Sequence, residues 1–85
     1  MMDYIELLET NKTKILTAIK MIKKNKDQFK EYKPLILQND TKKYVITMIW
    51  KTVFHSWFDV SIGKTKFRLL FTNVPKFDFV RVSML

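Results

Sequence analysis

The chain has 85 residues, with sixteen Lys and Arg against eight Asp and Glu, a formal net charge of +8 and no cysteine. Without cysteine there can be neither a disulfide framework nor a thiolate metal site, and the lone His55 cannot build a histidine cluster, so neither a structural metal nor a cofactor is expected. The length suits one domain spanning residues 1–85, and 47% hydrophobic with 14% aromatic residues supplies the apolar surface that a disordered segment lacks.

A domain this small leaves part of its apolar surface uncovered, which makes a homo-oligomer the expected state. The start, Met1-Met2-Asp3-Tyr4-Ile5-Glu6, is acidic where a secretory signal is basic, so the chain is expected to remain in the cell that makes it. Apolar runs such as Met48-Ile49-Trp50 fall far short of the ~20 residues that span a bilayer, and no membrane partner is expected.

From Tyr4 to Tyr32 there is neither Pro nor Gly, and Ile5, Leu8, Ile15, Ile19, Ile22 and Phe29 recur at helical spacing. The pattern predicts an amphipathic helix with Asp3 and Glu6 near its N-terminal end and lysines in its later turns, as the helix dipole favours. Thr10-Asn11 offers a break, with Asn11 as a cap for a second helix, and Pro34 is expected to end the segment.

The middle has two readings. Leu35-Ile36-Leu37, a turn over Gln38-Asn39-Asp40-Thr41 and then Tyr44 to Trp50 make two strands, with β-branched Val45, Ile46, Thr47 and Ile49 in support. Alternatively, Asp40 caps a second helix running through Trp57. Further on, Phe58 to Ile62, Lys66 to Phe71 and Phe77 to Met84 read as three strands, separated by Gly63 and by Asn73-Val74-Pro75-Lys76. Alternation sets Lys64, Lys66 and Arg68 on one face and Phe67, Leu69 and Phe71 on the other. The expected fold class is therefore α+β, an N-terminal amphipathic helix packed on a small antiparallel sheet.

Charge is the strongest functional signal. Between Asn11 and Lys26 there are six lysines and no acid. Lys20, Lys23 and Lys24 lie at i, i+3 and i+4, behind the stripe of Ile15, Ile19 and Ile22, and Lys26 follows them. Lys42 and Lys43 form a second cluster, and Lys64, Lys66 and Arg68 a third. Such rows of positive charge release counterions from a polyanion, and nucleic acid is the expected ligand. A solvated helix face is the plain alternative. Lysine is a point charge suited to backbone phosphate, while only Arg68 and Arg81 could make bidentate forks to base edges.

Phe54, Trp57, Phe58, Phe67, Phe71, Phe77 and Phe79 crowd the C-terminal half. Core packing accounts for most of them, leaving Trp50 and Trp57 as candidates for base stacking or for a subunit interface. Enzymatic motifs do not assemble. Gly63-Lys64-Thr65 resembles the end of a phosphate-binding loop, yet Phe58 stands where the motif needs its first glycine. His55-Ser56 lacks an orienting acid. A basic amphipathic helix over residues 11–26 would suit an anionic membrane, but its apolar face carries no Trp or Phe anchor.

The short, lysine-rich, cysteine-free chain, the run from Asn11-Lys12-Thr13-Lys14 to Lys23-Lys24-Asn25-Lys26 and the Phe-rich C-terminal sheet together resemble the TifA family. These are small T-even bacteriophage inhibitors of the ToxN endoribonuclease. The resemblance implies a non-catalytic RNA-binding protein that joins a host toxin in an RNA-containing assembly, as a dimer, in the host cytoplasm. The alternative reading is an inhibitor that docks directly on a host enzyme without nucleic acid.

Overall fold

The computed structural model describes residues 4–85. The expected place of Asp3 at a helix start lies outside the described residues. Helix α1 (Tyr4–Thr10) and helix α2 (Lys12–Lys24) precede a 3-10 turn (Lys26–Gln28) and five strands, β1 (Pro34–Asn39), β2 (Lys42–Lys51), β3 (His55–Ile62), β4 (Thr65–Thr72) and β5 (Asp78–Met84). The strands form one antiparallel meander in the order β1-β2-β3-β4-β5. The middle segment is thus a hairpin, and the alternative of a helix capped by Asp40 is not realised.

The helical break falls at Asn11 as expected, by a different device. Asn11 holds the N-cap position of α2, its carbonyl accepting from Ile15 N–H at 3.0 Å, but its side chain makes no cap bond to α2; the side-chain amide instead donates back to the Leu7 carbonyl at 2.8 Å and so closes the end of α1. Asn25 repeats the device on α2, donating to Met21 O at 2.8 Å. The helical segment therefore ends at Lys24, well before Pro34. Beyond it Phe29 turns extended, at φ −80° and ψ 134°, and packs its ring edge-on to Phe58 at 5.1 Å. Burying that ring competes with continued helix, because one aromatic side chain in a core outweighs a few residues of helix propensity. Pro34 instead opens β1, an edge strand where its missing N–H breaks no interior ladder.

Ile15, Ala18, Ile19 and Ile22 of α2 cover one face of the sheet. They meet Tyr44, Ile46 and Met48 of β2, Phe58, Val60 and Ile62 of β3 and Phe67, Leu69 and Phe71 of β4, all buried. Leu35 and Leu37 of β1 and Phe79 and Val82 of β5 complete the edges of this core. Ile5, expected on the core face, is 70% exposed, since α1 reaches only the β5 side of the sheet, where Tyr4 Oη donates to Val82 O at 2.9 Å. Among the described residues no helix lies over the opposite face of the sheet.

Two hairpins have turns of two residues, Asp40-Thr41 and Gly63-Lys64. Each places a positive φ at its first position, 56° at Asp40 and 58° at Gly63, where the strand twist requires one. Both turns lie at the same end of the sheet, next to the start of α2. The Thr52–Phe54 turn and the 73–77 loop lie at the other end. There, Asn73 Nδ2 donates to Thr52 O at 2.9 Å and Ser56 Oγ donates to Asn73 Oδ1 at 2.9 Å.

Candidate nucleic-acid interface

The two short turns bring separate parts of the chain into one basic region. Lys14 of α2 donates from Nζ to Thr65 Oγ1 at 3.3 Å, which pins the start of the helix to the β3–β4 hairpin. Around this contact lies an open cleft of about 610 Å³, lined by Lys14, Thr41, Lys42, Lys43, Ile62, Gly63, Lys64 and Thr65. Four ammonium groups from three chain segments thus border one space whose lining has no carboxylate. A second cleft, of about 530 Å³, lies between α2 and β1 and is lined by Thr17, Lys20, Met21, Lys24, Asn25, Leu37, Gln38 and Asn39. Asn39 lines the second cleft and Thr41 the first, so the β1–β2 turn adjoins both.

The structure brings together Lys20 and Lys24 in one cleft and Lys42, Lys43 and Lys64 in the other. It divides the helical stripe inferred from i, i+3 and i+4 spacing. Lys23 turns to the other flank of α2 and forms an ion pair with Asp78 of β5 at 2.8 Å. The Lys23 ammonium, and then the N–H of Phe79, holds the Asp78 carboxyl below its ordinary value. Lys26 lies over the Phe77 ring at 5.2 Å, on the side of the 73–77 loop. Helical spacing identified these lysines as neighbours, and the packing of α2 between β1 and β5 sends them to opposite flanks.

The third inferred cluster is also divided. Lys64 sits in the turn and not in β4, while Lys66 and Arg68 lie on the uncovered face. Arg68 is engaged with Asp59 across β3–β4, from Nε to Oδ1 at 2.7 Å and from Nη2 to Oδ2 at 3.1 Å. This bidentate bond to Asp59 raises the Arg68 guanidinium above its ordinary value. A guanidinium held this way has its fork occupied and is a poor candidate for reading bases. Lys14 was missed by sequence reasoning, although it belongs to the lysine run, because nothing local says that the start of α2 abuts residues 63–65.

The uncovered face carries Lys43, Val45 and Thr47 of β2, Trp57, Asp59 and Ser61 of β3 and Lys66, Arg68 and Leu70 of β4. A bulge between Met48 and Trp50 brings Trp50 opposite Trp57 on this face. Trp50 is 58% exposed, and Arg81 of β5 lies over the Trp57 ring at 5.8 Å. Most of the aromatic residues are core, as expected: Phe58 contacts Phe29, Phe71 and Phe77, and Phe71 stacks on Phe77 at 4.7 Å.

His55 and Ser56 do not converge. His55 is exposed, whereas Ser56 is buried and its hydroxyl is committed to Asn73. Among the described residues no three His, Cys, Asp or Glu side chains gather as metal ligands would, and no helix is long and apolar enough to cross a membrane. No protein family, curated protein or solved structure matches this chain.

Proposed function

We propose that this chain is a non-catalytic RNA-binding protein that holds phosphate backbone along the seam between α2 and the two short turns. The observation that supports it is the meeting of Lys14, Lys42, Lys43 and Lys64 around one cleft with no carboxylate in its lining. Lysines held apart on a folded surface repel one another, and a polyanion relieves that repulsion while releasing its own counterions. Point charges of this kind hold backbone without reading sequence. The preference for RNA, the action against a host endoribonuclease toxin, the dimer and the host cytoplasm follow from the resemblance to the phage inhibitors.

The test is purification in low salt, with the 260/280 nm absorbance ratio recorded before and after RNase, DNase and high salt. The expected result is a co-purifying polymer that RNase removes and that the triple variant Lys42→Glu, Lys43→Glu, Lys64→Glu no longer retains. A clean preparation in low salt, or retention unchanged in the triple variant, overturns the assignment. A second reading, direct docking on a host enzyme, has its own observation: Val53 and Phe54 at the β2–β3 turn are 75% and 60% exposed. Such a surface would depend on those two side chains and little on salt.

A further inference from the structure

The basic cleft opens onto the uncovered face of the sheet. Lys43 lines the cleft and also lies on that face, opposite Gln38 of β1. From there a shallow depression of about 240 Å³ runs over Val45, Thr47, Asp59, Val60, Ser61, Lys66 and Leu85. Beyond it stands the cross-strand pair Trp50 and Trp57, with Leu70 beside Trp57 and Arg81 over its ring. Roughly 20 Å of β2 separates Lys43 from Trp50, at about 3.3 Å per residue.

The chemistry along this path changes in a definite order. Ammonium groups come first, then a depression of hydroxyl and aliphatic side chains that also holds Lys66 and the Arg68-bound Asp59, then an aromatic pair with a guanidinium. Among the side chains that line the path Asp59 is the one carboxylate, and it is already satisfied by the two bonds from Arg68. An exposed tryptophan offers a π-face to any unpaired base, while a paired base is already stacked within its duplex and cannot use it.

Resting on the RNA-binding reading above, we infer that the uncovered face is a single-strand platform: backbone enters at the lysine cleft and unpaired bases stack on Trp50 and Trp57. The charge of the face supports this occupant over a second copy of the chain. Two such faces apposed would gather Lys43, Lys66 and Arg81 of both copies in one interface, with the Asp59 side chain already taken by Arg68, and like charges across an interface oppose association. The stretch from Lys43 to Trp50 fits on the order of four nucleotides, the lower end of known single-strand sites.

The experiment compares a fluorescein-labelled single-stranded oligouridine dodecamer with an RNA duplex of the same length, measured by anisotropy over a salt series. The proteins are the parent, Trp50→Ala, Trp50→Ala with Trp57→Phe, and the triple lysine variant. Trp50 is exposed, so Trp50→Ala is expected to fold, and a thermal melt checks it. Its single-strand affinity should fall roughly tenfold or more, corresponding to the removal of one base stack, while duplex affinity and the salt slope remain as in the parent. Intrinsic tryptophan fluorescence of the parent should be quenched by the single strand and not by the duplex.

Unchanged single-strand affinity in the tryptophan variants, with the triple lysine variant still defective, overturns the platform and leaves the lysine cleft standing. Absence of oligonucleotide binding by the parent overturns both. If the tryptophan variants convert a dimer to a monomer at unaltered RNA affinity, the face is a subunit interface and the platform is wrong.

Discussion

The two faces of this sheet are built from the same strands by alternation, interrupted at the Met48–Trp50 and Leu70–Phe71 irregularities, yet they have opposite fates. Tyr44, Ile46, Phe58, Val60, Phe67 and Leu69 point to α2 and are buried, whereas their sequence neighbours Lys43, Val45, Thr47, Asp59, Ser61 and Lys66 point to a face that no element covers among the described residues. The difference teaches that stability and recognition can be separated residue by residue along one strand. Substitutions on the covered face should be read in folding, and those on the uncovered face and at the seam in binding.

The largest effect that would break this division is expected from Phe58→Ala. Its ring touches Phe29, Phe71 and Phe77, and deleting it should cost about 3–5 kcal/mol, enough to unfold much of a small domain. Urea denaturation should show the loss, while Trp50→Ala on the other face should shift stability by no more than about 0.5 kcal/mol. Comparable losses from both would mean that the uncovered face is structural.

Next is Gly63→Ala. No atom lies within 4 Å of the position that a Cβ would take, so the cost is purely that of φ 58° for an L-residue, about 1–2 kcal/mol. A larger loss in urea would indicate that the turn itself moves, and oligonucleotide affinity should then fall with it, because Gly63 and Lys64 border the cleft.

The flanks of α2 sharpen the comparison further. Lys20→Gln with Lys24→Gln should reduce the slope of log affinity against log salt by about 0.7 for each single-strand phosphate that is no longer neutralised. Lys23→Gln should leave that slope unchanged and appear only in thermal stability, since its partner is Asp78. Equal slopes for both would return the three lysines to one stripe.

The smallest effect concerns that ion pair. The folded Asp78 carboxyl titrates below its ordinary value of 3.8, first because of the Lys23 ammonium and then because of the Phe79 N–H. A carboxyl lowered on folding stabilises the native state above its ordinary value, and that contribution is lost as pH falls through the folded value. The difference in melting temperature between the parent and Asp78→Asn should therefore be small at neutral pH and close in acid. Both partners are exposed, which keeps the effect small.

Alternation and punctuation made the C-terminal strands legible from the chain, whereas the segment that forms β1 and β2 read equally as a hairpin or a helix. Phe67, Leu69 and Phe71 were recognisable as one face, Gly63 and residues 73–76 as turns, and Asn11 as a break, because periods of 2.0 and 3.6 and backbone freedom are local properties. The end of α2 was not legible. Whether Lys26 to Lys33 continued as helix depended on Phe29 finding Phe58, a residue far along the chain.

By itself the sequence determined the fold class, the apolar face of β4 and the excess of positive charge. Only the tertiary structure decided which charges act together. Helical spacing made Lys20, Lys23 and Lys24 neighbours, and the placement of α2 between β1 and β5 separated Lys23 from the other two. Spacing offered no link between Lys14 and Lys64, and two tight turns at one end of a meander brought them to the same cleft. The physical reason is range: periodicity specifies which way a side chain points, whereas a charge acts through space on whatever the packing brings near it.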